Sequence, residues 1–201
     1  MKRFATFLSY LLHPILSPLI SIYILFHLPI YQNYRLSEEY FNFIYLVILI
    51  NLILIPLTVS FYLKDKGYIA SLKMETTKER RIPFLVSSVL YVITFFVFQT
   101  IGFPEIYLQI FMAATWVVLI LSVLSFFNVK WSAHLSAMGG LLGMLIVVTQ
   151  TYNLNLTVIL IFFILLSGAL ASARLVLNAH TQKELLFGFS LGLVAQLILL
   201  I

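Results

Sequence analysis

Long apolar runs separated by short polar segments dominate the chain. Seven runs hold almost no charged residues over the roughly 20 positions that an α-helix needs to cross a bilayer. They are apolar on all sides and do not alternate, which favours helices over the strands of a barrel. The pattern predicts an all-α, polytopic transmembrane helix bundle of about seven helices, with six as the alternative count. The predicted helices cover residues 5–29, 41–63, 83–101, 106–127, 133–151, 155–175 and 184–201.

The positions of prolines and glycines predict where a helix bends and which helices pack closely. Pro14 and Pro18 fall inside the first predicted helix and should bend it, because proline lacks a backbone donor and clashes with the preceding turn. Small residues spaced four apart let helix backbones approach closely in lipid, so we expect the last three helices to form the tightest part of the bundle. The glycine pairs with this spacing are Gly139/Gly143 and Gly188/Gly192.

The composition excludes a soluble domain. Of the 201 residues, 62% are hydrophobic and 9% are charged, with a mean hydropathy of +1.08, whereas a soluble domain carries about 25% charged residues. The lipid bilayer must surround most of the chain, and residues 1–201 are expected to form a single membrane domain. There is no cysteine, which excludes disulfides and thiolate metal sites. The basic residues are few and lie between apolar runs, so no nucleic-acid partner is expected.

The charges gather at one end of the predicted bundle. Seven crossings place the N-terminus, the polar interfacial segment 64–82 and the turns near 130 and 174–184 on the same face. Eleven of the twelve Lys and Arg residues lie on that face, and only Arg35 lies opposite. The positive-inside rule puts this face in the cytoplasm. We therefore expect a multi-pass protein of the cell membrane, such as a bacterial inner membrane.

Three polar clusters on this face contain residue types that bind or transfer phosphate. The first precedes Pro83, the second opens the fifth predicted helix, and the third joins the sixth helix to the seventh. The second and third lie within residues 131–201, which we expect to be the core of the site. The clusters are Lys73, Arg80 and Arg81; Ser132 and His134; and Arg174, His180 and Glu184.

The third cluster carries the most specific chemistry. His180 and Glu184 are four residues apart, so on a helix they share one face. A carboxylate bonded to one ring nitrogen fixes the tautomer and makes the other nitrogen a better nucleophile. Arg174 offers a planar fork of donors that suits phosphate oxygens. His134 would add a general acid for a leaving alkoxide.

This ordered set resembles the type-2 phosphatidic acid phosphatase superfamily, which includes lipid phosphate phosphatases and vanadium haloperoxidases. The motifs of that superfamily are K-x6-R-P, P-S-G-H and S-R-x5-H-x3-D. The matching residues here are Lys73 and Arg80 for the first motif, Ser132 and His134 for the second, and Arg174, His180 and Glu184 for the third. The chain departs from the motifs at Arg81, Trp131, Ala133, Ala173 and Glu184, which replace proline, proline, glycine, serine and aspartate.

The resemblance implies a lipid phosphatase that needs no metal or other cofactor. His180 would attack phosphorus and form a phosphohistidine, Glu184 would orient it, and His134 would protonate the leaving group. The implied substrate is the phosphate monoester or diphosphate of a membrane lipid. Phosphatidic acid, phosphatidylglycerol phosphate, a polyprenyl diphosphate and a lipid A phosphate all remain open, as does the oligomeric state. The implied phosphate-binding residues are Lys73, Arg80, Arg81, Ser132 and Arg174.

Other interpretations give these residues no catalytic role. The departures from the motifs favour a catalytically inactive lipid-phosphate-binding or scaffold protein as the main alternative. A small transporter is disfavoured, because the chain shows neither an inverted repeat nor a charge in the middle of a predicted span. His13, next to Pro14, is interpreted as a packed or hydrogen-bonded residue and not as a ligand.

Overall fold

A computed structural model describes residues 1–29 and 36–198. Every regular element in these residues is helical, which confirms the all-α prediction. A single 3-10 turn, Pro14–Leu16, separates the first two helices, and a π-helical stretch, Leu49–Leu54, joins the third to the fourth. The helices are α1 (Lys2–Leu11), α2 (Ser17–His27), α3 (Glu38–Ile48), α4 (Ile55–Asp65), α5 (Thr77–Thr100), α6 (Glu105–Phe126), α7 (Ala133–Tyr152), α8 (Thr157–Val176) and α9 (Gln182–Ile198).

Six helical segments among the described residues are long and apolar enough to cross a membrane. Two of them combine shorter helices, because Lys2–His27 contains α1 and α2, and Glu38–Asp65 contains α3 and α4. The other four are α5 to α8. The chain is therefore a multi-pass membrane protein. The seventh predicted helix is observed as α9 up to Ile198, and its predicted end lies outside the described residues.

The first predicted helix is interrupted where proline was expected to bend it. α1 ends at Leu11, and His13 adopts an extended conformation with φ −65° and ψ 133°. This follows from Pro14, because the residue before a proline is pushed out of the α region. Pro18 causes no second break, because it lies in the first turn of α2, where a missing N–H costs no helical bond.

The start of the third predicted helix was placed too late. α5 begins at Thr77, where Thr76 and Glu79 form a reciprocal capping box. Residues 77–82, predicted as part of the polar segment, therefore belong to the helix, and Pro83 is accommodated in its second turn. Arg80 and Arg81 project from a helix and not from a loop.

Contacts within the chain divide it into two compact units. The first unit contains Met1–Ser17 and the chain from Lys130 onwards, and the second contains Pro18–Val129. In the second unit α5 packs along α6. Its apolar centre includes Phe98, whose ring lies 4.6 Å from that of Phe103 and 4.9 Å from that of Phe111.

In the first unit α7 packs closely along α9, while α1 and α7 both contact α8. Glycine makes the α7–α9 contact possible. A Cβ atom at Gly143 would lie 2.9 Å from the Leu193 carbonyl oxygen, and one at Gly188 would lie 2.6 Å from the Ser132 carbonyl oxygen. Side chains at Gly139 and Gly192 would also meet backbone atoms of the facing helix. The predicted close approach is confirmed for these two helices.

Candidate functional site

The start of α7 and the start of α9 meet at one end of the first unit. The Ser132 N–H donates to the Glu184 carbonyl oxygen at 3.1 Å, and Gly188 leaves room for this approach. His134 and His180 lie close enough for their charges to interact. The second and third sequence clusters are thus brought together, as expected for the core of the site.

The His180 imidazole is held by the Glu184 carboxylate. His180 Nδ1 donates to Glu184 Oε2 at 2.8 Å, and the side chains are 1% and 26% exposed. Because a carboxylate oxygen accepts, the proton of the neutral ring lies on Nδ1 and the lone pair lies on Nε2. The pairing expected from the four-residue spacing is therefore present.

Glu184 also has a structural role that the motif comparison missed. Its Oε2 accepts from the Thr181 N–H at 3.2 Å, while Thr181 Oγ1 accepts from the Glu184 N–H at 3.3 Å. This reciprocal arrangement is a capping box at the start of α9, and the sequence Thr181-x-x-Glu184 is its signature. The same carboxylate therefore fixes the helix start and the ring of His180.

Arg174 lies in the last turn of α8 and is half buried. Its Nε is shielded from solvent and has no hydrogen-bond acceptor within residues 1–29 and 36–198. Its positive charge acts on the rings of both His13 and His134. A buried guanidinium donor without an acceptor is costly unless an anion binds there. Arg174 is therefore the cation in this cluster that is best suited to hold a phosphate.

His134 is held by the first helix of the chain. Its Nε2 lies 3.1 Å from the carbonyl oxygen of Ser9, and its ring meets the ring of His13 edge to face, with centroids 5.3 Å apart. His13 is hydrogen-bonded, as expected: its Nδ1 accepts from the Ile15 N–H at 3.3 Å. The contact of Ser9 and His13 with His134 could not be predicted, because no local pattern relates residues so far apart in sequence.

Ser132 has a helix-capping role. It is fully buried, and its Oγ accepts from the Leu135 N–H at 3.4 Å at the start of α7. Serine is among the preferred residues at this position, since its oxygen satisfies a helix donor that has no partner in the preceding turn. The structure thus accounts for Ser132 without a ligand.

The first sequence cluster belongs to the second unit. Arg81 donates to the carbonyl oxygens of Ser125 and Phe126, both at 3.3 Å, and to Asn128 Oδ1 at 3.1 Å. These bonds add donors at the C-terminal end of α6, where helix carbonyls run out of helical partners, and the Ser125 oxygen also accepts from the Asn128 N–H at 3.3 Å. Arg80 is buried and its Nε donates to the Met74 carbonyl oxygen at 2.8 Å, whereas Lys73 is exposed.

The arrangement in the first unit suits an anion site. Three imidazoles and one guanidinium share a partly buried space with a single carboxylate, and that carboxylate is engaged by His180. Within the described residues, no three His, Asp or Glu side chains are placed to share a metal ion.

A search of protein-family models, of curated proteins and of solved structures finds no match to the chain.

Proposed function

We propose that the protein is a lipid phosphatase that hydrolyses the phosphate monoester or diphosphate of a membrane lipid. One observation supports the proposal: the buried His180, paired with a partly exposed Glu184, lies in the same cluster as Arg174, whose Nε has no acceptor among the described residues. The pair supplies an oriented imidazole, and the guanidinium supplies a place for phosphate oxygens. The motif resemblance, which extends over Arg174, His180 and Glu184, points to the same chemistry.

The reaction would proceed in two steps that share one site. His180 Nε2 attacks phosphorus, the bond from phosphorus to the lipid oxygen breaks, and His134 gives a proton to that oxygen. A water molecule then attacks the phosphohistidine while His134 takes up its proton, releasing inorganic phosphate and restoring both rings. Glu184 stabilises the positive charge that develops on His180 in each step.

Arg174 would carry most of the phosphate binding. Phosphoryl transfer depends mainly on position and on neutralising charge at the equatorial oxygens, which a guanidinium does with two parallel donors. Arg80 and Arg81 each have a backbone acceptor that explains their position. The phosphate-binding role of these two residues and of Lys73 stays a prediction of the motif resemblance.

The substrate would be a lipid because the site lies at the ends of membrane-spanning helices. His134 is in the first turn of α7 and Arg174 is in the last turn of α8. Because the ends of a spanning helix reach the headgroup region, we expect both side chains at headgroup depth. The positive-inside rule places this end in the cytoplasm of a cell such as a bacterium. Labelling of the variants Lys66→Cys and Arg35→Cys in intact cells tests this orientation, since the chain has no native cysteine.

The direct test is phosphate release by the purified protein in detergent. Phosphatidic acid, phosphatidylglycerol phosphate, a polyprenyl diphosphate and a lipid A phosphate would be compared as substrates. His180→Ala should abolish release, and His134→Ala should lower it by about 10²–10⁴-fold, the usual contribution of a general acid. His27→Ala is the matched control, because that histidine is exposed and stacks on Tyr23.

Two further results would decide the mechanism. A radioactive phosphate label that is stable to alkali and labile to acid should appear on the wild-type protein and be absent from His180→Ala. Vanadate, which mimics the five-coordinate phosphorus, should inhibit. Release by His180→Ala and His134→Ala at the wild-type rate would refute the phosphohistidine mechanism.

A second function is a protein that binds lipid phosphate without hydrolysing it. The observation that favours it is the bond from His134 Nε2 to the Ser9 carbonyl oxygen, which engages one nitrogen of the proposed acid. In that case phosphatidic acid would bind to the wild-type protein, Arg174→Ala would lose the binding, and no phosphate would be released. Turnover that disappears in His180→Ala would exclude this function.

A further inference from the structure

The break between α1 and α2 leaves one backbone carbonyl for His134. A helix ends with four carbonyl oxygens that have no partner in a following turn. In α1 the Leu8 oxygen accepts from the Leu12 N–H at 3.0 Å, and the Tyr10 oxygen accepts from the His13 N–H at 3.3 Å. The Ser9 oxygen, between them, lies 3.1 Å from His134 Nε2. A side chain of the site therefore supplies the partner for one of the carbonyls at the end of α1.

This bond determines where the proton of His134 lies. A carbonyl oxygen only accepts, so Nε2 must carry a hydrogen in both the neutral and the charged ring. In the neutral ring the lone pair is then on Nδ1. A backbone carbonyl on one nitrogen commonly orients histidines in this way. The Ser9 oxygen fixes the tautomer of His134 by accepting from Nε2, whereas the Glu184 carboxylate fixes that of His180 by accepting from Nδ1.

His13 supports the same ring from a second direction. It lies edge to face on His134, with centroids 5.3 Å apart and the planes at 79°. Its own ring is fixed, because Nδ1 accepts from the Ile15 N–H at 3.3 Å at the start of the 3-10 turn. Pro14 forces this geometry by excluding His13 from the α region. The 3-10 turn in turn contacts α7, which carries His134.

We propose that the segment from Ser9 to Pro14 is a positioning part of the phosphate site, and that His134 transfers its catalytic proton through Nδ1. The proton transfer by His134 and the positioning role of His13 rest on the proposed function. The tautomer of His134 does not, because it is a property of the protein without substrate. His13 is a positioning residue that acts through His134. The N-terminal break is therefore part of the site and not only a bend in a membrane span.

Nitrogen-15 NMR of histidine-labelled protein in detergent tests the tautomer without any substrate. The chain has four histidines, so single His→Gln variants assign each signal. We expect the neutral His134 ring to be protonated at Nε2. In Pro14→Ala the helix can continue, the His13 N–H can turn to the Ser9 oxygen, and the neutral His134 ring should lose its preference for Nε2. Pro18→Ala is the matched control, because Pro18 breaks no helix, and it should leave the His134 signal unchanged.

The positioning role of His13 in proton transfer is tested with substrates that differ only in the leaving group. His13→Asn removes the imidazole but keeps an acceptor for the Ile15 N–H, because asparagine is a favoured N-cap residue. A positioning role predicts a fall in kcat of about tenfold for an alkyl phosphate and of less than about twofold for a nitrophenyl phosphate, whose leaving group needs no proton. KM should stay unchanged for both substrates. Adding His13→Asn to His134→Ala should cause no further loss.

The outcomes separate the two halves of the proposal. A neutral His134 that is protonated at Nδ1 in the wild-type protein would overturn the assignment, whatever the activity. An equal loss of kcat with both leaving groups in His13→Asn would overturn the positioning role. If no lipid phosphate is hydrolysed by the wild-type protein but the Nε2 proton is found, the proposed function and the positioning role fall together and the tautomer assignment stands.

Discussion

Replacing Gly188 with alanine tests how α9 holds the site against α7. A Cβ atom there would lie 2.6 Å from the Ser132 carbonyl oxygen and 3.0 Å from the Ser132 nitrogen. Ordinary contact begins at 3.4 Å, so the two backbones must separate by about 0.8 Å, the difference between 3.4 and 2.6 Å. Backbone atoms cannot rotate away as the tip of a long side chain can, so the strain must move the helices.

The size of the effect follows from a comparison with Gly168→Ala. Gly168 lies in α8, and a Cβ atom there would meet nothing within 4 Å. Replacing glycine by alanine within a helix stabilises each variant by about 1 kcal/mol through helix propensity. This contribution cancels when the free energies of unfolding of the two variants are compared. The difference isolates the overpacking cost, about 2 kcal/mol, and corresponds to a melting temperature about 4–8 °C lower for Gly188→Ala.

Thermal unfolding in detergent, followed by circular dichroism, measures this difference. Phosphate release from the same preparations measures the second consequence, since a displacement near 1 Å at a reacting centre costs about 10²-fold in rate. Gly168→Ala should keep the wild-type rate. If Gly188→Ala unfolds at the same temperature as Gly168→Ala, α9 does not approach Ser132 as closely as described. This contact would then not be what aligns His134 with His180.

Three further substitutions separate structural from catalytic roles. Arg81→Lys should lower the free energy of unfolding by about 1–2 kcal/mol, because lysine cannot reach several acceptors at once. Phosphate release should persist. A loss of phosphate release in this variant would show that Arg81 is a phosphate ligand after all. Glu184→Gln keeps an oxygen for the Thr181 N–H but removes the charge beside the imidazole. The free energy of unfolding should therefore change by less than about 1 kcal/mol, while turnover falls by about tenfold or more. An unchanged turnover would leave the carboxylate with only its capping role. Asn51→Leu removes the 3.2 Å bond from Asn51 Nδ2 to Thr94 Oγ1 and should cost about 0.6 kcal/mol, the average for such bonds in membranes; a loss of several kcal/mol in chemical unfolding would contradict this.

Features that depend on residues close together in sequence could be predicted from the sequence alone. Apolar runs of sufficient length predicted the spans, because lipid admits only long apolar helices. Pro14 and Pro18 predicted a bend in the first span, and the structure has a break at Pro14. The four-residue spacing of His180 and Glu184 predicted their pairing. Glycines four apart predicted close packing of the last three helices, which is confirmed for α7 and α9.

Only the tertiary structure decided which residues come together from distant parts of the chain. Ser9 and His134 are 125 residues apart, and neither a hydrophobic period nor a motif links them. Arg81 resembles a phosphate ligand in sequence, yet its guanidinium bonds to backbone carbonyls at the end of α6, 44 and 45 residues away. The physical reason is that periodicity reports on residues within a turn or two of one another. Partners for buried polar groups are instead supplied by whichever backbone or side chain the folded chain brings within hydrogen-bond distance.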